Sequence, residues 1–349
     1  MIFESRIGIK FGFGSKLFTN FPVYITSSVI GNFIDDDGYI GPVGSGAVSN
    51  NKNESVLKAF SESVERRSLL FGAKHNGSNL SYTFDLINKT EGRVQSLYTS
   101  YRETSPFVDT TGTAVHTNSM VAVYNAFVEL LEKNAIFLFW YGNMGFVLNE
   151  EHSSLYYKKQ IKEGVKVTFF LQDFFAPLKI VICMFEDKNS PVHYKFGVGS
   201  GLCVEKAKSK AISEAFFLGH YHDIKYFNEN DSLNKVKNNC DGNLLFAQKN
   251  IEKLKRLPEY KKSEEFIDLD VYSNMSEILK KIPPWVENLH VCILKQKLYS
   301  NLIAVKVTSP DLITHIPLKE YIDVNVGINR NTISLSADML SDFPNCPIV

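Results

Sequence analysis

The sequence predicts an α+β fold with large sheets, and three observations support this prediction. Segments with helical and with strand-like periodicity interleave along the chain, but without the regular βαβ alternation of a doubly wound fold. Apolar residues make up 44% of the 349 residues, an ordinary proportion for a globular protein. No low-complexity tract and no linker rich in Pro, Gly or Ser divides the chain. The length suffices for one large domain or for two ordinary ones.

The helical pattern is clearest in three segments, and strands are expected between and after them. A polar loop over Asp35–Asn53 leads into the first helix. The predicted helices span about Glu54–Phe71, Ser119–Tyr141 and Val204–His220. The predicted strands span Val165–Leu171, Leu178–Phe185, His290–Lys295 and Leu302–Thr308. The stretch Asn228–Lys281 is polar and is expected to be mostly helical.

The composition argues against several classes of partner and location. Because 38 Lys and Arg residues balance 38 Asp and Glu residues, the charge favours neither nucleic acid nor an anionic membrane. The longest strongly apolar run, Ala135–Trp140, is far too short to cross a bilayer, and no signal-peptide-like stretch follows Met1. The five cysteines are scattered without a C-x-x-C pair. This pattern indicates reduced thiols in a cytoplasmic protein rather than a disulfide framework or a zinc site.

The first predicted helix carries two acids outside its apolar stripe. Leu57, Phe60 and Val64 fall on one face, which is the expected core face. Glu62 and Glu65 are three residues apart and share a different face. On this helix alone, a solvated acidic face is the simpler interpretation.

The second predicted helix is apolar nearly all round, as expected of a buried helix. Before Lys133 its polar exceptions are confined, because Asn125, Glu129 and Glu132 fall within a strip roughly 60° wide. Two like charges on a narrow strip of a buried helix repel each other and are costly to desolvate. A divalent cation would compensate them, and magnesium prefers carboxylate, water and phosphate oxygens. A structural network with a nearby Arg or Lys would compensate them equally well.

The third predicted helix gives Lys210 and Glu214, one turn apart, which alone would indicate a surface ion pair. The glycine-rich segments Gly12–Lys16 and Gly44–Gly46 lack the spacing of a P-loop. No Ser/His/Asp or Cys/His constellation is evident, so a covalent nucleophile within this chain is not expected.

Three motifs in order resemble the YcaO family of ATP- and magnesium-dependent enzymes that activate peptide backbone amides. The segment Lys58–Arg66, after Gly44–Gly46, looks like the family's S-x-x-x-E-x-x-E-R helix and its preceding loop. The segment Asp109–Ala114 followed by Glu129–Ala135 and Trp140 looks like its T-N-G loop and E-x-x-E-R-D-A helix. Gly197–Gly201 with Lys210 and Glu214 looks like its G-x-G strand end and R-x-x-x-E helix.

The resemblance implies one YcaO domain over residues 1–349, built of mixed sheets and flanking helices, with an ATP site between helices rather than at a P-loop. It implies metal ligands and nucleotide contacts, but it identifies no catalytic residue. The implied magnesium ligands are Glu62, Glu65, Glu129, Glu132 and Glu214. The implied contacts to ATP are Ser45, Arg66, Asn125, Lys133 and Lys210.

This sequence departs from the family pattern at four positions. Ser45 replaces a loop lysine, Val121 replaces an acid, and Lys133 and Lys210 replace arginines. Lysine keeps the charge but loses the bidentate geometry of arginine. A degenerate, non-catalytic member of the family is therefore an open alternative.

The implied reaction is cyclodehydration of a ribosomally made precursor peptide to thiazoline or oxazoline rings. Because the chain has no length to spare for a leader-binding domain, the expected partners are an E1-like leader-binding protein and a flavin-dependent azoline dehydrogenase. Thioamide or amidine formation by the same fold is the enzymatic alternative. The family's azoline-forming members tend to end in a proline-rich tail, which Pro344 and Pro347 match in part. A frayed terminus is the simpler interpretation of these last residues.

Overall fold

The fold was obtained as a computed structural model. It describes residues 10–12, 24–29, 34, 38, 41, 44–73, 79–148, 161–188, 190, 193–229, 247–261, 269–296 and 299–348. Its first six strands are β1 (Lys10–Gly12), β2 (Tyr24–Val29), β3 (Gly44–Ser49), β4 (Leu80–Asp85), β5 (Glu91–Gln95) and β6 (Thr113–His116). They are followed by β7 (Phe146–Leu148), β8 (Lys166–Gln172), β9 (Lys179–Glu186), β10 (Tyr194–Gly201), β11 (His290–Ile293) and β12 (Ile303–Thr308).

The helices in chain order are α1 (Lys52–Phe71), α2 (Ser119–Gly142), α3 (Val204–Glu229), α4 (247–254), α5 (Val271–Leu279), α6 (Gly327–Asn331) and α7 (Ala337–Ser341). The three long helices and the four strands expected from the sequence are confirmed, with α3 running past the expected end at His220. Within the expected helical stretch Asn228–Lys281, residues 230–246 and 262–268 lie outside the described residues. None of the helices that the structure describes has the length and hydropathy needed to cross a bilayer.

The chain divides into two units, and α2 contributes to both. The first unit comprises residues 1–12, 24–134 and 269–334, and the second comprises residues 13–23, 135–268 and 335–349. Each unit contains segments that are distant in sequence, so neither is a continuous stretch of chain. The expectation that residues 1–349 act as one domain stays a prediction.

The first unit contains two antiparallel sheets and α1. One sheet has the order β1-β2-β3 and the other has the order β5-β4-β11-β12-β6. Helix α1 begins at the cap residue Asn51, whose side chain accepts hydrogen bonds from the backbone N–H groups of Asn53 and Glu54. Val64 and Leu69 of α1 are buried in a cluster with residues of β6 and β12, which places α1 against the larger sheet.

Two expectations about this region are wrong. The expected loop Asp35–Asn53 contains the strand β3, whose residues pair with β2 and alternate in burial. Leu57 was expected in the core but is 65% exposed. Helix α1 instead packs on β2 and β3 through small side chains, because Ser55, Ala59 and Ser63 allow the close approach that a leucine would prevent.

The second unit is built on an antiparallel sheet with the order β10-β9-β8-β7. Helix α3 lies close against β10, and two glycines of that strand make this possible. A Cβ built on Gly197 would lie 2.0 Å from the backbone nitrogen of Ala215, and one on Gly199 would lie 2.3 Å from the carbonyl oxygen of Ala207. The G-x-G pattern therefore serves close helix–sheet packing in this chain.

Candidate active site

Four of the five acids expected to bind magnesium, Glu62, Glu65, Glu129 and Glu132, lie in the first unit on α1 and α2. Glu65 of α1 has a pKa raised well above its ordinary value, chiefly by burial. The negative charges of Glu129 and Glu62 raise this pKa further, whereas Arg66 and Lys306 oppose the shift. Because the charge of Glu129 raises the pKa of Glu65, the two helices place these two acids in a common region.

Glu62 is held by groups on α1 and β3. Its Oε1 lies 2.7 Å from Nη2 of Arg66, one helical turn later, and its Oε2 accepts a hydrogen bond of 2.9 Å from the backbone N–H of Gly46. Arg66 also donates to the carbonyl oxygen of Gly44. Burial raises the pKa of Glu62, and both partners oppose that shift. The predicted phosphate contact Arg66 and the predicted ligand Glu62 thus fasten α1 to the strand before it.

On α2 the narrow polar strip expected from the sequence is confirmed. Asn125 is exposed and Glu129 and Glu132 are partly exposed, while most of the surrounding helix is buried. Burial is the main reason for the raised pKa of Glu129, and the charge of Glu132 adds to it, whereas the charge of Lys133 lowers it. The helix therefore presents its acids along one accessible line on an apolar body.

Lys306 is a functional candidate that the sequence reasoning missed. It lies in the middle of the buried strand β12 and is fully inaccessible to solvent. Its Nζ donates to the carbonyl oxygens of Asp109 at 3.0 Å and Thr111 at 2.7 Å, and it lies 3.4 Å from Oγ1 of Thr113. Burial lowers its pKa, and the charges of Asp109, Glu129 and Glu65 counteract that effect. A single lysine inside an otherwise apolar strand was the signal available in the sequence.

Asp109 connects this lysine to a second segment of the first unit. Its Oδ1 accepts a hydrogen bond of 2.8 Å from the N–H of Thr111, and its Oδ2 accepts one of 2.7 Å from the N–H of Ile316. The charge of Asp109 also raises the pKa of Glu129. The segment from Asp109 to Thr113, which carries the motif expected from the sequence, is thereby fixed beside the acids.

Ser45, the predicted nucleotide contact on β3, faces α1. Its hydroxyl lies 3.0 Å from the carbonyl oxygen of Ser28 and 2.8 Å from that of Ala59, and it is hydrogen-bonded to Ser63. The side chain is buried and bridges the small sheet and the helix. Its role toward a nucleotide stays a prediction.

The beginning of α2 contains Val121, one of the departures from the family pattern. Asn118 precedes the helix, and its Oδ1 accepts hydrogen bonds from the backbone N–H groups of Met120 and Val121. Asn118 is thus the helix cap. Val121 has no ligating atom in its side chain and contributes only its backbone here.

Lys210 and Glu214 lie on α3 in the second unit. Oε2 of Glu214 accepts a hydrogen bond of 2.7 Å from the backbone N–H of Val198, so this acid ties α3 to β10. The expectation that these two residues act together with Glu62, Glu65, Glu129 and Glu132 stays a prediction.

The donor set suits a magnesium ion in its chemistry. The acids are oxygen ligands, and burial together with neighbouring acids raises the pKa values of Glu65 and Glu129, a shift that a divalent cation would oppose. In the conformation that the structure describes, and over the described residues, no group of three or more His, Cys, Asp or Glu side chains converges enough to hold a metal ion.

Comparisons with known proteins agree with this picture. A family model described as YcaO cyclodehydratase, ATP- and Mg²⁺-binding, matches residues 83–312 of the 349. The description confirms ATP and Mg²⁺ as the cofactors expected for the family. No curated protein sequence matches the chain.

Solved structures confirm the fold. YcaO from Methanopyrus kandleri, bound with AMPPCP and Mg²⁺, is 13% identical, with a TM-score of 0.64 and 84% of each chain covered. A chain of the Escherichia coli microcin synthetase McbBCD complex is 15% identical, with a TM-score of 0.68, covering 96% of this chain and 95% of that one. A heterocyclase in complex with substrate and cofactor is 14% identical, with a TM-score of 0.62. The match covers 91% of this chain and 51% of the heterocyclase chain.

Proposed function

The chain belongs to the YcaO family, and on that premise we propose that it is the cyclodehydratase subunit of a synthetase that forms thiazoline or oxazoline rings in a ribosomally made peptide. The observation that carries the proposal is the proximity of Glu65 and Glu129, two carboxyls from different helices: burial raises the pKa of both, and the charge of Glu129 raises that of Glu65 further. Such a pair is unfavourable unless a cation lies against it.

The proposed reaction assigns the nucleophile to the substrate. A Cys, Ser or Thr side chain of the peptide attacks the preceding backbone carbonyl, which agrees with the absence of a nucleophile motif in this sequence. When bound, ATP with Mg²⁺ supplies the phosphoryl group that lets the amide oxygen leave.

The chain's own residues would hold and orient these groups. Glu65, Glu129 and Glu132 would provide oxygen ligands for magnesium, and Lys133 would balance the acids beside it. Lys306 supplies a fixed positive charge that opposes the raised pKa of both Glu65 and Glu129. The partial burial of the carboxyls strengthens these interactions, because their surroundings hold less water than bulk solvent does.

We propose that the whole of residues 1–349 acts as one YcaO domain. The match to the McbBCD chain supports this, because it extends over nearly the full length of both chains. A cytoplasmic location is supported by Cys183, Cys203 and Cys292, which are free thiols.

We propose that the subunit works with a leader-binding partner, and that a flavin-dependent dehydrogenase oxidises the rings to azoles. The McbBCD structure, which is a complex, supports the expectation of partners. The isolated chain should then show little peptide-modifying activity, and addition of the leader-binding protein should raise it strongly.

A non-catalytic scaffold is the second candidate, and the engagement of Glu62 with Arg66 and Gly46 favours it. Thioamide or amidine formation is the enzymatic alternative, in which an external sulfur donor or an internal amine is the nucleophile.

The experiment that separates these functions has two stages. Calorimetric titration of the purified chain with ATP, with and without Mg²⁺, tests nucleotide binding. Co-expression with the neighbouring genes and mass spectrometry of the peptide then identify the product, since each azoline ring removes one water. Absence of magnesium-dependent ATP binding would exclude the enzymatic function. A peptide product that contains sulfur from an external donor would show that the reaction is thioamide formation rather than ring formation.

A further inference from the structure

One face of the five-stranded sheet in the first unit carries a large open groove. Helix α5 and the first turn of α2 border it, and the strands β4, β11 and β12 form its floor; we call it the sheet groove. Its volume is about 1310 Å³. This exceeds the roughly 300–1,000 Å³ that pockets for small molecules occupy, so the size favours a segment of polypeptide.

The floor of the sheet groove is apolar and accessible. Ile293 of β11 is 72% exposed, and Tyr82 and Phe84 of β4 are 61% and 46% exposed. From the bordering helix α5, Tyr272 adds an aromatic side chain that is 65% exposed. Exposed apolar side chains that form one continuous surface are typical of protein interaction sites, and tyrosine and phenylalanine are enriched there.

The rim of the sheet groove is predominantly basic. Lys89, Lys280 and Lys295 line it, and Glu91 is the acid among its lining residues. Lys280 is paired with Glu277 at 2.6 Å. Over the part of the chain that the structure describes, no ion pair involves Lys89 or Lys295.

Arg93 adds a further positive charge, because its guanidinium lies 4.9 Å above the ring of Tyr82. The basic rim is not complementary to itself, which argues against a second copy of this chain as the occupant. It is complementary to acidic side chains that flank an apolar segment.

The sheet groove lies on the face of the sheet opposite to Lys306. In the antiparallel register, Ile293 is paired with Val305 and the neighbouring Cys292 is paired with Lys306. Because successive residues of a strand point to opposite faces, Ile293 faces the groove while Lys306 faces the acids. An occupant of the sheet groove would therefore not approach the acids from this side, which suits a docking surface rather than the reacting part of a substrate.

We propose that the sheet groove is the docking surface for the leader-binding partner subunit, which would insert an apolar segment flanked by acidic residues. This inference rests on the proposed function for the existence of that subunit. The positive rim would guide the acidic flanks, and Ile293, Tyr82 and Phe84 would bury against the apolar segment.

The test measures, by calorimetry, binding of the full chain to the purified leader-binding subunit that the proposed function requires. Ile293→Asp places a charge in the apolar floor and should weaken binding roughly 30-fold or more, the effect of losing a central interface contact. Ile293 is largely exposed, so the substitution disturbs no core packing. Leu57→Asp is the matched control, because Leu57 is 65% exposed on α1 and should leave binding unchanged.

A second pair of variants tests the contribution of the positively charged rim of the sheet groove. Lys295→Glu should weaken binding and reduce its dependence on salt concentration, whereas Lys166→Glu, exposed on β8, should do neither. Magnesium-dependent ATP binding is measured on every variant and should equal that of the original chain. If the original chain showed no magnesium-dependent ATP binding, the proposed function would be contradicted, but the docking result would still stand.

Three kinds of outcome would overturn the docking proposal. One is that Ile293→Asp binds the subunit as tightly as the original chain does, or that the original chain does not bind it. Another is that Ile293→Asp loses affinity for the isolated precursor peptide instead, which would make the groove a peptide site. The third is that light scattering shows a dimer of the original chain that Ile293→Asp dissociates, which would make the groove a self-association surface.

Discussion

Lys306 donates a hydrogen bond of 3.0 Å to the carbonyl oxygen of Asp109, a residue 197 positions earlier in the chain. The same ammonium reaches the carbonyl oxygen of Thr111 at 2.7 Å. A charged lysine in the middle of β12 thus holds the segment that precedes β6, and its charge opposes the raised pKa values of Glu65 and Glu129. The same side chain therefore contributes to the packing of the sheet and to the electrostatics of the acids.

Replacement of Lys306 should therefore destabilise the protein. Lys306→Met keeps the length and apolar stem of the side chain but leaves the two carbonyl oxygens without their buried donor. We expect the free energy of unfolding to fall by about 3 kcal/mol, measured by urea denaturation. Lys166→Met, at an exposed position of β8, should change it by less than about 0.5 kcal/mol. If the two variants were equally stable, the charge of Lys306 would not contribute to the free energy of unfolding.

The substitution Glu129→Gln should have opposite effects on ATP binding and on the free energy of unfolding. The amide keeps the shape of the side chain and removes a charge whose ionisation burial disfavours. We expect loss of magnesium-dependent ATP binding and of turnover, together with a gain of about 1 kcal/mol in the free energy of unfolding at pH 8 without magnesium. Glu163→Gln, an exposed acid in a turn of the second unit, should change neither. ATP consumption at the original rate by Glu129→Gln would refute the assignment of this residue.

The stability of the metal-free protein should fall as the pH rises. The folded state raises the pKa values of Glu62, Glu65 and Glu129 above the ordinary carboxyl value of 4.5. Between the ordinary and the raised values the folded state binds more protons than the unfolded state does. Stability from these groups is thus present at low pH and is lost as the pH rises through that window.

The measurement compares urea denaturation of the original chain and Glu129→Gln from about pH 5 to pH 8. The difference in unfolding free energy between them should grow with pH, because only the original chain must ionise Glu129. Other carboxyls with lowered pKa values, such as Asp85, act in the opposite direction but are common to both proteins. A difference that stays constant over this range would contradict the raised pKa.

Gly112 is expected to tolerate no side chain. Its φ angle is +71°, and a Cβ at this position would lie 2.5 Å from the carbonyl oxygen of Val307. Gly112→Ala should lower the free energy of unfolding by about 2 kcal/mol in thermal or urea denaturation, because it combines backbone strain with a clash against β12. Gly44→Ala is the control, since a Cβ there would meet no atom within 4 Å. A similar effect of both substitutions would argue against the close approach.

Residues 343–348, near the end of the sequence, are packed within the second unit rather than frayed. Nε1 of Trp140 donates a hydrogen bond of 3.0 Å to the carbonyl oxygen of Pro344, and the ring of Phe343 lies edge-on to Tyr141. Cys346 and Ile348 are each 2% exposed. The expectation of a frayed terminus is therefore wrong, because these apolar side chains have buried places to occupy.

Removal of Asn345–Val349 tests whether this tail also serves the reaction. The truncation should lower stability by a few kcal/mol, since it removes two buried side chains. If the tail positions catalysis, magnesium-dependent ATP binding should survive below the melting temperature while ring formation fails in mass spectrometry. Ring formation at the original rate by the truncated protein would restrict the tail to a structural role.

The sequence by itself determined the elements with strong periodicity and the arrangement of acids along them. The polar strip of Asn125, Glu129 and Glu132 follows from the helical repeat, which is a local property of consecutive residues. The long helices and the apolar strands were accessible for the same reason. The family resemblance depended on the order of short motifs, and these too are local.

Only the tertiary structure decided features that depend on residues far apart in sequence. Strand β3 reads as a glycine-rich loop, and its extended form is fixed by pairing with β2 and by the approach of α1. Leu57 satisfies the apolar repeat yet remains exposed, because the neighbouring sheet packs against the small side chains of the helix instead. The electrostatic environment of Lys306 is set by Asp109 and Glu129, which lie far from it in the sequence. Periodicity describes one element at a time, whereas the electrostatic partners of a residue come from several elements.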